Sequence, residues 1–431
     1  MSPVLSLSLR SIANRRLSVA LTVVAVALAV ALLLGVERLR NDARAGFAQT
    51  LSGTDLVVGA RSGPVQLLLY SVFHLGNATN NVSWASIEHV AGLPQVKWLV
   101  PIALGDSHRG HRVVGTTAGF FTHYRHGAGR ALAFAEGRPF AEAPARAEDI
   151  FEVVIGAEVA ARHGYQIGQR IVLSHGGAGN AGGPRFAEHG DKPFTIVGVL
   201  ARSGTPLDRA LLVSLEGIEA IHIDWLGGAP MPGVKIAPEH VRKFDLRPKS
   251  VTAALVGLHS RTSVFRVQRQ INTHAGEALT AILPGATLQE LWGLVGIAEQ
   301  ALLAVSALVV AVGLAGMIAV VVASLGERRR ELAILRALGA SPRQVFALLA
   351  VESVLLALAG IAVGLALLYG AGAALAPWLT SQHGLHLSLG WPSAGEWRLL
   401  AAVLVASLAA SLVPALRAYR YSLADGMTIR V

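Results

Sequence analysis

Fifteen histidines and not one cysteine define the metal and nucleophile chemistry open to this chain. Imidazole binds divalent transition ions without help from a thiol. Six of the histidines fall in pairs three residues apart: His108 with His111, His123 with His126, and His383 with His386. A helical turn or a tight loop brings an i, i+3 pair onto one ion, which makes His108, His111, His123 and His126 the candidate metal ligands. Ordinary surface histidine is the competing reading, and spacing alone leaves both open. Without cysteine there are no disulfides, thiolate zinc sites, thiol nucleophiles or iron–sulfur clusters. No Gly-Lys-Ser or Gly-Lys-Thr occurs, so a Walker A phosphate cradle is missing, and neither Gly-x-Ser-x-Gly nor His-Glu-x-x-His is present. No catalytic residue is assigned, and no cofactor is expected in the chain itself.

The residues that would have to position any chemistry are strongly apolar, 53% of the chain against 15% charged. Four stretches, 17–36, 301–326, 345–368 and 399–416, approach or exceed the roughly 20 residues a bilayer core requires. The third alone holds an ionisable group, Glu352, about 15 Å along its helix from Pro342. Glu352 is either a buried contact between helices or a side chain reaching for the interface, because an isolated charge in hydrocarbon is costly. Gly360 and Gly364, four apart, form a small-xxx-small face suited to close helix packing. The net charge is +10, yet aromatics make up only 6% and no basic run is interleaved with them, which argues against a nucleic-acid partner.

Arginines set the orientation, since basic side chains stay in the cytoplasm during insertion. Arg10, Arg15 and Arg16 precede the first stretch, Arg328, Arg329, Arg330, Arg336 and Arg343 separate the second from the third, and Arg417, Arg420 and Arg430 follow the fourth. The expected layout is a cytoplasmic N-terminus (1–16), four crossings, an inner loop (327–343) and a cytoplasmic C-terminus (417–431). A large outer domain (37–298) and a short outer loop (370–396) face the other side, with every histidine. Arg38, Arg40 and Arg44, on the outer flank of the first crossing, run against this scheme. The first stretch reads as an uncleaved anchor, because Gly35-Val36-Glu37-Arg38 is no small-x-small cleavage site.

Between the crossings the chain alternates short apolar runs with turn residues, which predicts a mixed α+β domain. Strands are expected at 153–155, 169–173, 194–200 and 210–215, with helices at 158–163, stopped by Gly164, and at 216–222. The glycine-rich run 175–183 reads as a hairpin loop. Residues 264–282 carry a helical period leading through 288–300 into the second crossing, and 37–51 prolong the first. Together they read as a helical stalk.

The inner loop is the most specific segment. Glu331, Leu332, Leu335 and Leu338 recur at helical spacing, and Gly339 can end that helix. Ser341, Pro342 and Gln344 then spell a capping box opening the next one. An arginine-rich topology signal resting on anionic lipid would read the same way by charge alone.

The run Glu327-Arg328-Arg329-Arg330-Glu331-Leu332-Ala333-Ile334-Leu335-Arg336-Ala337-Leu338-Gly339-Ala340-Ser341-Pro342-Arg343-Gln344 resembles the hallmark loop of the MacB/FtsX/LolC-type (type VII) ABC transporter permeases. Pro414-Ala415-Leu416-Arg417-Ala418 is similar to that family's closing motif, and the order of helix, large outer domain and three further helices is the family's order. The resemblance implies an integral membrane protein with four transmembrane helices and a large α+β periplasmic (MacB-like) domain on a helical stalk, in a bacterial inner membrane. It implies that Glu327, Arg328, Arg329, Arg330, Glu331, Leu332, Leu335, Arg336, Leu338 and Gly339 couple the permease to a separate ABC ATPase subunit, which would bind the ATP and Mg. Glu352, Gly360 and Gly364 would serve membrane packing. A second permease chain, a periplasmic or outer-membrane partner and membrane lipid are the other expected partners. The work expected is efflux or lipid and lipoprotein extraction by mechanotransmission. The alternatives are an FtsX-like scaffold controlling a cell-wall hydrolase, and a transporter linked to metal or metallophore handling.

Overall fold

A computed structural model describes residues 16–142, 144–175, 188–226, 229–327, 334, 336–383 and 388–420. The chain divides into two compact units. One comprises Met1–Ala43, Gly296–Thr380 and Leu385–Val431; the other comprises Arg44–Val295 and Ser381–Gly384.

Four long helices, Arg16–Thr50, Pro284–Glu327, Pro342–His383 and Ala394–Arg420, contain the segments long and apolar enough to cross a membrane. Leu21, Leu308, Val312 and Val405 are exposed on them, so these helices are apolar on their outer faces as well as their inner ones. Such helices are stable only where lipid covers them. Inside the unit, Val26, Val30, Leu33 and Leu34 pack against Leu400 and Val403. Gly360 and Gly364 let the third helix press on the first: an added Cβ would lie 2.6 Å from Val26 Cγ1 at the former and 2.8 Å from the Ala27 carbonyl oxygen at the latter. Thr22, Ser306, Ser353 and Ser407 each donate a hydroxyl hydrogen bond to the carbonyl four residues earlier, which satisfies them within their own helices.

A buried charged contact crosses this unit. Arg38 grips Glu396 with two hydrogen bonds, Nε to Oε1 at 2.9 Å and Nη2 to Oε2 at 3.2 Å, and both side chains are buried. Glu396 also accepts from Ser393 N at 2.6 Å while its own N–H donates to Ser393 Oγ at 3.2 Å, a capping box that opens the fourth helix. Arg40 pairs with Glu37 at 2.7 Å. The arginines that run against the positive-inside pattern therefore include two that are neutralised within the fold. The third helix continues to His383, with Pro377 inside it, through much of the span 370–396 expected as a loop. Ala371, Ala373, Ala374 and Ala376 supply the helix propensity that carries it on.

The second unit is built on an eleven-stranded sheet. In chain order its strands are β1 (Leu56–Ala60), β2 (Val96–His108), β3 (His111–Thr116), β4 (Phe134–Gly137), β5 (Glu152–Ile155), β6 (Arg170–Ile171), β7 (Ser174–His175), β8 (Phe194–Leu200), β9 (Ala210–Ser214), β10 (Ala253–Leu258) and β11 (Leu279–Ile282). Neighbours run β11-β1-β10-β2-β3-β9-β5-β8-β4, with β7 added to β2 and β6 to β8. Pairing is antiparallel except for β3 with β9 and β5 with β8. β9 lies mid-sheet and is buried along its whole length, matching its uninterrupted Ala-Leu-Leu-Val run. Ser214 at its end caps the helix Leu215–His222, accepting from Gly217 N at 2.9 Å. Helix Ala157–His163 stops at Gly164, whose φ of 65° is the left-handed conformation glycine adopts cheaply. The single helix expected over 264–282 is corrected. A helix spans Val264–Asn272 only, and Leu279–Ile282 becomes β11, edge partner of β1, because pairing a short apolar run outweighs its local period.

Candidate functional site

Of the coupling residues, Arg328, Arg329, Arg330, Glu331, Leu332 and Leu335 lie outside the described residues, while Glu327 ends the second long helix. The turn leading into the third helix is well defined. Leu338 N donates to Ile334 O at 3.0 Å and Gly339 N to Arg336 O at 3.1 Å, and Gly339 takes a φ of 99°. Ser341 N then donates to Gln344 Oε1 at 2.8 Å, Gln344 N donates to Ser341 Oγ at 3.4 Å, and Pro342 opens the third helix. Ile334 and Leu338, one turn apart, expose 53% and 81% of their surface. Within the third helix Glu352 is buried beside Ser353.

Two of the three histidine pairs, His108 with His111 and His123 with His126, lie among the described residues. His108 and His111 face each other across the β2–β3 turn, yet each is committed elsewhere. His108 Nδ1 donates to Val172 O at 2.6 Å and its Nε2 lies 2.7 Å from the Tyr165 hydroxyl. His111 Nδ1 donates to Arg209 O at 3.1 Å, leaving a lone pair on Nε2 that faces His163 Nε2 at 3.1 Å. Burial, with His163 and Arg209 near, pushes His111 down to about 4. His123 stacks on Trp98 and His126 is buried in a two-residue ribbon with Arg130. Backbone carbonyls hold the Nδ1 atoms of His108 and His111, and Trp98 holds the ring of His123. His386 lies outside the described residues.

A different set converges. Asp106, His175, His189 and His222 each offer one donor atom, all within 4.8 Å of one another. Asp106 on β2 and His175 on β7 are cross-strand partners, with Nδ1 3.2 Å from Oδ1. His222, at the end of helix Leu215–His222, places Nε2 3.2 Å from His175 Nδ1 and 3.7 Å from Asp106 Oδ1. Its Nδ1 donates to Ile218 O at 2.8 Å. His189 is fully buried, its ring 4.2 Å from that of Trp225 and edge-on to His222. Behind them the buried Lys192 ammonium meets Asp224 at 2.6 Å, tying the segment of His189 to that of His222. Hydrogen bonding to Asp106 raises His175, and burial, helped by His222, lowers His189 to about 4.

Both units have counterparts among known families. Residues 19–273 match the MacB-like periplasmic core domain and residues 303–423 match the FtsX-like permease C-terminal domain. The chain belongs to the MacB/FtsX family of ABC transporter permeases. Among solved structures, the permease is similar to the extracellular domain of the noncanonic ABC-type transporter YknZ from Gram-positive bacteria (13% identity, TM-score 0.31, covering 53% of this chain and 99% of that one). It is also similar to the periplasmic region of MacB from Actinobacillus actinomycetemcomitans (10% identity, TM-score 0.32, covering 56% and 94%). A search of curated proteins by sequence gave no match.

Within the permease, Gly360 and Gly364 sit against the first long helix, and the loop between the second and third long helices ends in the capping box that opens the third. The cluster at Asp106, His175, His189 and His222 escaped the sequence because Asp106 lies 69 positions from His175 and His222 lies 47 from it, with no short motif joining them. Sheet pairing brings Asp106 to His175, and the helix Leu215–His222 delivers His222. The one local signal, His175 at the edge of a glycine-rich run, reads as a loop.

Proposed function

We propose that this permease is the membrane subunit of an ABC transporter that draws on a separate ATPase chain, holder of the ATP and Mg, and passes its cycle outward as motion. The reading is carried by the loop between the second and third long helices, where exposed Ile334 and Leu338 present an apolar face beside arginines and a capped helix start. An exposed apolar pair of this kind fits a docking partner better than water.

The membrane helices support motion over a pore. Their outer faces are apolar and Arg38 and Glu396 neutralise each other, whereas a solute path through lipid would present unpaired polar groups to a cavity. Coupling residues 327–339 would follow the ATPase, the long helices would tilt, and the MacB-like domain would act on a lipid, lipoprotein, peptide or protein. A second permease chain completes the assembly, with both termini and the coupling loop in the cytoplasm of a bacterial inner membrane.

Tagged permease expressed from its native locus and gently solubilised tests this, compared with Leu338→Asp, a change at an exposed site that leaves packing intact. Recovery of a Walker A ATPase with the wild type and its loss with the variant is the expected result. Absence of any ATPase in several detergents would refute the coupling. An ATPase recovered together with a cell-wall hydrolase would move the work from transport to regulation.

A further inference from the structure

We propose that Asp106, His175, His189 and His222 bind one divalent first-row transition ion, with zinc the expected occupant. The geometry carries the assignment. In a tetrahedral zinc centre with bonds of about 2.0–2.1 Å, neighbouring donors stand about 3.3 Å apart. Asp106 Oδ1 to His175 Nδ1 and His175 Nδ1 to His222 Nε2 are both 3.2 Å, and the third edge of that triangle is 3.7 Å. The His189 donor lies within 4.8 Å of all three, so a small turn of one ring completes the set.

Lone pairs point the same way. The carboxylate accepts only, and the Nδ1–H of His222, spent on Ile218 O, leaves its Nε2 as an acceptor facing Asp106. Two acceptors thus face each other with only a His175 proton between them, and a cation satisfies all of them together. His189 is the stronger sign: it is completely buried, and neither ring nitrogen has a hydrogen-bond partner among the described residues. Buried imidazole nitrogens in native proteins are ordinarily paired, and a metal bond would pair one here.

The surroundings are those of a built site. Cross-strand pairing fixes Asp106 against His175, Ile218 fixes the His222 tautomer, and the Lys192–Asp224 pair anchors the chain beside His189 and His222. Such outer contacts orient metal ligands. Three imidazoles and a carboxylate suit zinc, cobalt or nickel, and four protein ligands make a closed site that binds rather than catalyses. The side chains of His175 and His222 are 36% and 24% exposed, which gives an ion a route from solvent. This site stands independently of any coupling to an ATPase.

The test titrates the full-length permease, purified in detergent and stripped with chelator, with zinc(II), and in parallel records the visible spectrum with cobalt(II). One equivalent bound with Kd tighter than about 1 µM is expected, together with the intense visible absorption of four-coordinate cobalt. His222→Ala and His189→Ala should each weaken binding by about 100-fold or more. His163→Ala, which alters the neighbouring histidine cluster, should leave it unchanged. Binding no tighter than about 100 µM, an octahedral cobalt spectrum, or affinity lost in His163→Ala and retained in His222→Ala would each overturn the assignment. The cobalt spectrum of the wild type decides the matter even if a ligand variant fails to fold.

Discussion

Removing Glu396 should unseat the membrane unit, and the magnitude follows from the contacts it makes. Glu396→Ala takes away both partners of the Arg38 fork and leaves a guanidinium at 8% side-chain exposure without its counter-charge. Breaking a buried pair from one side costs about 3–5 kcal/mol, most of it the stranded charge. The alanine also abolishes the acceptor for Ser393 N, adding roughly 1 kcal/mol of lost helix cap. At about 2–4 °C per kcal/mol for a unit of this size, thermal unfolding of the full chain in detergent should fall by roughly 10 °C or more. Arg38→Met combined with Glu396→Met removes the uncompensated charge along with the pair, so the double variant should be more stable than either single one. Melting of Glu396→Ala within about 2 °C of wild type, below the shift from 1 kcal/mol, would refute the reasoning. So would a double variant as unstable as the sum of the singles.

At the glycine seam, Gly360→Leu and Gly364→Ala should each destabilise the helix packing by about 1–3 kcal/mol or more, measured in the same melts, the second because its Cβ meets the backbone of Ala27. Lys192→Met should strand Asp224 and cost about 3–5 kcal/mol, read as faster hydrogen exchange of the β8 amides, with Asp224→Leu partly restoring protection. His111 sits near 4 in the fold against an ordinary 6.5, so it favours folding fully above pH 6.5 and loses that contribution as pH falls from 6.5 towards 4. Exchange protection of β3 should drop by roughly 3 kcal/mol over that window, and His111→Gln should flatten the drop; an unchanged pH profile would count against it.

The elements legible in the sequence are those governed by local rules. Phe194–Leu200 alternates, Gly164 stops its helix in the left-handed region, and Ser341 with Gln344 spells a cap that forms. Ser393 and Glu396 carry the same spacing and the same geometry, a signal as readable as the first. Leu279–Ile282 was illegible because so short a run, three apolar residues and a threonine, fits either period, and only β1 opposite it decides for a strand. The cluster around Asp106 was illegible for a related reason. The i, i+3 histidine pairs are conspicuous, but the rings of His108, His111 and His123 answer to Val172, Arg209 and Trp98. The convergent set depends on a two-residue strand, β7, joining β2.

The partner of Arg38 is made 358 residues after it. At roughly 5–20 residues per second, synthesis leaves that arginine without Glu396 for about 20–70 s. During this interval the first helix must hold its orientation with Arg38 on its flank still lacking the carboxylate that the finished protein supplies, and the fourth helix brings that carboxylate. A chain halted before residue 396 should therefore insert its first helix in both directions, and the complete chain in one.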